Sequence, residues 1–65
     1  MNYSKSSREI IRILENDGWF LCRTRGDHRQ YKHACKKGTV TVPHPKKDLP
    51  KKTVKSIFLQ AGLNL

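Results

Sequence analysis

The chain has 65 residues, enough for one domain with a small core and little stability to spare. Lys plus Arg number 14 against 5 Asp plus Glu, which gives +9 at neutral pH and points to a nucleic-acid or acidic-protein partner. The longest apolar run, Trp19 to Cys22, is far too short to cross a bilayer. The opening residues Met1-Asn2-Tyr3-Ser4-Lys5 do not read as a secretory signal, and two cysteines, Cys22 and Cys35, then suggest reduced thiols and a cytoplasmic protein.

Ser6-Ser7-Arg8-Glu9 has the spacing of a capping box, a hydroxyl at the N-cap and a carboxylate three residues on. Ile10, Ile13 and Leu14 follow at helical spacing beside Ile11, and Asp17-Gly18 supplies a stop, so a first helix is predicted over about residues 7–16. Trp19 to Thr24 is aromatic and apolar and predicts a strand, turned by Thr24-Arg25-Gly26. His28 to His33 predicts a second strand, Ala34 to Gly38 a second turn, and the β-branched run Thr39-Val40-Thr41-Val42 a third strand ended by Pro43-His44-Pro45. Leu49-Pro50 opens a second helix, in which Val54, Ile57, Phe58 and Ala61 form one apolar stripe with Lys51, Lys52 and Lys55 off it; Gly62 caps it and Leu63 can fold back.

The expected fold is therefore α+β, ordered α-β-β-β-α, a single domain over 1–65. Short turns make the strands an antiparallel meander, and one sheet face can bury both helical stripes. If Tyr31 packs toward the helices, Arg29 and His33 share its face, while His28, Gln30 and Lys32 point to the open one. Trp19, Phe20 and Tyr31 read as core, although an exposed aromatic could stack on a base.

The segment Gly26-Asp27-His28-Arg29-Gln30-Tyr31-Lys32-His33 carries the chemistry. It sets an imidazole just after a glycine turn, among six cationic side chains from Arg23 to Lys37. Histidine both takes and gives a proton near neutrality, and RNA brings its own nucleophile, the 2′-hydroxyl. His28 is the candidate proton-transfer residue, with His44 a possible second group ahead of His33, which parity turns toward the helices. Arg23, Arg25, Arg29 and Lys32 are candidate phosphate contacts near it, and Lys46, Lys47, Lys51 and Lys52 a candidate backbone track at the second helix. Cys22, Cys35 and the histidines lack the spacing of a structural zinc site, so no metal and no cofactor is expected. The lysine-flanked second helix would also suit an anionic membrane, but the small core needs its apolar residues.

In order and spacing, Gly18-Trp19, Arg23-x-x-Gly26-Asp27-His28, Tyr31-x-His33, Val40-Thr41-Val42-Pro43-His44 and Val54-x-x-Ile57 through Ala61-Gly62-Leu63 resemble the HicA toxin family, also described as YcfA-like proteins. The resemblance implies a double-stranded-RNA-binding-domain-like fold and a toxin acting as a translation-independent mRNA interferase, a metal-independent endoribonuclease. It also implies neutralisation by a HicB-like antitoxin, expected to cover the basic face and His28, and it places the family's single catalytic histidine on His28. Asp27 stands where the family most often has serine, and Pro45 where a second histidine or a polar residue is common. The readings that compete with an enzyme are a non-catalytic RNA-binding module of the same fold and an adaptor for an acidic protein.

Overall fold

A computed structural model describes residues 5–63. The reading of Met1 to Ser4 as a non-signal leader lies outside these residues. The element order is α1 (Ser7–Asn16), β1 (Trp19–Arg25), β2 (His28–His33), β3 (Val40–Pro43) and α2 (Lys51–Gln60). The sheet is antiparallel in the order β1-β2-β3, as the short connections require.

Local chemistry explains each boundary. Ser6 caps α1: its hydroxyl accepts from the Glu9 backbone N–H, and the Glu9 carboxylate accepts from the Ser6 N–H at 2.9 Å. That bonding holds the Glu9 carboxyl below its ordinary pKa. Gly18, at φ +102°, ends α1 in the left-handed conformation that glycine adopts without strain. At the end of α2 the Leu63 N–H reaches the Phe58 carbonyl and the Gly62 N–H reaches that of Leu59, the paired bonds of a Schellman motif. Leu63 packs back against the core.

The first hairpin is tighter than the sequence suggests. β1 runs on to Arg25, which pairs with His28, so the loop is only Gly26-Asp27, with Gly26 at φ +57°. Glycine at the first loop position is what a two-residue hairpin of this hand demands. β3 is shifted by one residue from the expected span: it starts at Val40 and includes Pro43, which an edge strand tolerates. The register between β1 and β2 shifts between Leu21 and Arg23, leaving Cys22 as a bulge in an exposed edge strand.

One face of the sheet makes the core. Trp19, Tyr31, Val40 and Val42 join Ile10 and Leu14 of α1, Leu49, Val54, Ile57 and Phe58 of α2, and Ala61 just after it in one buried cluster. Both helical stripes are thus absorbed by the same face, and burial of each large aliphatic contributes roughly 1.5–3 kcal/mol. Phe20 is the exception to the expected core. It is 53% exposed, because Trp19 takes the inward position and strand alternation sends its neighbour outward, opposite Lys32.

A second set of contacts closes the end of the domain where α1 and α2 stop. Lys36 donates to the Asp17 carboxylate at 2.6 Å and to the Ala61 carbonyl at 3.0 Å, joining the two helix ends and holding the Asp17 carboxyl below its ordinary pKa. His33 completes this corner. Its Nδ1 accepts from the backbone N–H groups of Cys35 and Lys36, so Nε2 carries the proton and donates to the Asp17 carbonyl at 2.6 Å. The ring meets Trp19 edge-on at 5.2 Å. Gly18 is required here twice over: a Cβ would lie 2.8 Å from His33 Nε2 and would force a side chain into a positive φ. Gly18→Ala is expected to cost more than about 2 kcal/mol in urea unfolding, and Gly26→Ala, where a Cβ meets nothing within 4 Å, only about 1 kcal/mol.

Candidate nucleic-acid interface

β2 places its side chains by alternation around the buried ring of Tyr31, which is 1% exposed. Arg29 and His33 lie on its face, and His28, Gln30 and Lys32 on the other. His28 is exposed at the first position of β2, between Arg25 on β1 and Pro43 on β3. Directly paired residues in an antiparallel sheet hold their Cβ atoms about 4.5–5.5 Å apart on one face, so Arg25 is the cation that register sets beside His28. Arg23, opposite Gln30, shares that face. The Asp27 carboxylate is 3.8 Å from His28 Nε2, beyond hydrogen-bonding distance and between two exposed groups, so it orients the ring only weakly.

His28 is not on a flat sheet. Together with Thr41 and Pro43 of β3 and Lys52, Thr53, Ser56, Ile57 and Gln60 of α2 it lines a groove of about 280 Å³. α2 flanks β3, and its polar side forms the opposite wall. Lys52, Ser56 and Gln60 recur at i, i+4 and i+8, which puts them on one side of the helix beside the buried stripe. Gln60 donates to the Ser56 hydroxyl at 3.2 Å and leaves that O–H available as a donor. Lys52 was legible in the sequence as a phosphate contact. Ser56, Thr53 and Gln60 were not singled out, though their spacing along the flank of the apolar stripe is a usable signal.

His44 lies elsewhere. The residue after Pro43 falls on the helix side of the sheet, and its Nδ1 is 2.6 Å from the hydroxyl of buried Ser7. It lines a different cavity, of about 490 Å³, with Ser6, Ser7, Arg8, Pro45, Lys46 and Lys47. The structure therefore does not bring His44 into the His28 groove, and it separates Lys46 and Lys47 from Lys52. Arg29 belongs to the His44 side as well, by alternation. Desolvation, helped by the positive charges of Arg29 and Arg8, pushes the His44 imidazole below its ordinary pKa. Lys51 is exposed at the first turn of α2. His33, bonded at both ring nitrogens, is a structural residue at the far end of β2.

Among the described residues no group of three or more His, Cys, Asp or Glu side chains is placed to hold a metal ion, and Cys22 and Cys35 are free and exposed. No helix among them is long and apolar enough to cross a membrane.

The fold and its basic grooves define a small α-β-β-β-α domain of the double-stranded-RNA-binding type, with a histidine displayed beside cations. The model of the family described as HicA toxin of bacterial toxin-antitoxin matches residues 7–63. The chain belongs to that family: it is a HicA toxin of a toxin–antitoxin system, and the family implies a HicB antitoxin as partner. No curated protein matches the chain closely enough to extend this.

The depressed His44 pKa has a consequence for stability. The unfolded chain binds the His44 proton more tightly than the folded one, so stability is full above about pH 6.5 and falls as acid is added through the folded-state pKa. The urea midpoint should drop between about pH 7.5 and 5, above the range where Asp17 and Glu9 titrate, and His44→Gln should flatten that decline. An identical slope in the variant would show that His44 does not carry it.

Proposed function

We propose that this toxin is a metal-independent endoribonuclease acting on mRNA in the cytoplasm, with His28 as its proton-transfer residue. The observation that carries this reading is the placement of an exposed imidazole in a groove walled by Lys52, Ser56 and Gln60, with Arg25 beside it across the hairpin. The scissile phosphate would lie between these cations, where they offset the charge that builds on its non-bridging oxygens. His28 withdraws the 2′-hydroxyl proton, and the oxygen attacks the adjacent phosphorus. The bond from phosphorus to the 5′-oxygen breaks, a cyclic phosphate forms, and the leaving oxygen takes a proton from the imidazolium or from water. His44, the candidate second group, has its Nδ1 engaged by Ser7 and lines another cavity, which favours a mechanism run by one histidine.

Arg23, Arg25 and Lys32 on the open face and Lys52 in the groove would carry the RNA backbone, and the HicB-like antitoxin would cover that basic surface together with His28. Competition between RNA and antitoxin for it follows. Induced expression of the wild type should arrest bacterial growth with loss of mRNA, and His28→Ala should do neither. In vitro the same change should slow cleavage by about 10²- to 10⁴-fold, the worth of one positioned proton-transfer group. Cleavage should persist in chelator. Equal toxicity from both proteins would replace the enzyme by a non-catalytic RNA-binding module, and loss of cleavage in chelator would overturn the metal-free mechanism.

A further inference from the structure

The cavity between α1 and the 44–47 segment plays no part in the proton transfer above, yet it is the larger of the two and strongly cationic. Arg8, Lys46 and Lys47 line it, all exposed. The ion pairs Asp17–Lys36 and Asp27–His28 lie away from them. Glu9, the nearest acid to Arg8 in sequence, is held in the capping box. At the start of α1 the Ser7 N–H is taken by the Lys46 carbonyl and the Glu9 N–H by the Ser6 hydroxyl.

The frame under these cations is fixed. The Ser7 N–H donates to the Lys46 carbonyl at 2.9 Å, the Lys46 N–H donates to the Ser7 hydroxyl at 2.9 Å, and that hydroxyl meets His44 Nδ1. Leu49 N–H reaches the Lys5 carbonyl, so the whole segment is laced to the start of α1. Its position is equally telling. Pro43 lines the His28 groove and His44 lines this cavity. Successive Cα atoms are about 3.8 Å apart, so the two sites adjoin at the end of β3.

We propose that this cavity is a second RNA subsite, taking a backbone phosphate of the strand whose scissile phosphate lies at His28. It rests on the reading of the His28 groove as an RNA site. Three cations, Arg8, Lys46 and Lys47, stand around the cavity. That is the equipment for phosphate, which is held by charge-assisted hydrogen bonds.

The test measures binding of 2′-O-methyl RNA, which has lost its nucleophile, by fluorescence anisotropy across a salt series. Lys46→Gln with Lys47→Gln should weaken a dodecamer about tenfold and flatten the slope of log affinity against log salt by about 0.7, the share of one single-strand phosphate contact. Lys46→Arg with Lys47→Arg should keep both. A dinucleotide, too short to leave the His28 groove, should bind the glutamine variant and the wild type equally. Unchanged dodecamer affinity and slope would overturn the proposal, as would an equal loss on the dinucleotide. Loss of antitoxin affinity alone would assign the cavity to the protein partner and overturn it too. If the wild type cleaves RNA through His28 and the double variant binds normally, only the subsite fails; if the wild type shows no salt-sensitive RNA binding, the functional reading itself falls.

Discussion

The burial of Tyr31 decides where everything else on β2 points. Its ring lies in the core opposite Val40, 1% exposed, in a strand whose side chains alternate with period two. A slip of one residue would expose the ring, at a cost of roughly 1.5–3 kcal/mol, and would turn His28 under the helices. The exposure of the candidate catalytic imidazole is thus enforced by an aromatic side chain three positions away. The two-residue loop Gly26-Asp27 adds a second restraint, since it leaves no slack between Arg25 and His28.

The charge of +9 is not spread as one smooth face. Arg23, Arg25 and Lys32 lie on the open side of the sheet, Lys52 on the α2 wall, and Arg8, Lys46 and Lys47 around the end of β3, with Arg29 turned their way. At physiological salt a charge is felt over about 8 Å, so each group acts on what is close to it. A ligand with charges repeated along its length can use all three groups at once. A nucleic-acid strand has that form, and its flexibility when single-stranded lets it bend around the edge of so small a sheet.

The fold was legible because every element carried its own local signal: a capping box, two helical stripes, β-branched alternation and glycines at the stops. The parity argument also survived, since the bulge fell at Cys22 rather than beside Gly26, and β2 keeps its alternation across the whole strand. The errors have specific causes. Phe20 read as core because aromatic residues usually are, but alternation beside Trp19 overrode its hydrophobicity. The first turn was drawn one residue too wide because Arg25 gives no cue that it still pairs. His44 stood ahead of His33 as a second acid or base because parity turns His33 toward the helices, and sequence spacing does not show that the chain after β3 is drawn to Ser7. The α2 wall of the groove was missed because polar residues on a helix flank look like solvent-facing filler until a strand is packed beside them.

The two histidines of β2 sit in opposite surroundings. His28 and His33 are five residues apart, so they lie on opposite faces and about 17 Å apart along the strand. At His33 the ring, Asp17, Lys36 and the Ala61 carbonyl make a linked set of hydrogen bonds that ties both helix ends to the sheet. At His28 the ring has no hydrogen bond among the described residues, and its neighbours on the sheet face are exposed or half-exposed. A domain this small has little core stability from which to offset an open, cationic surface that repels itself. The polar fastening at His33, and that of Ser7 with His44 and Lys46, leave the His28 ring without a hydrogen bond among the described residues, an exposed imidazole beside Arg25 of β1 and lining one groove with Lys52.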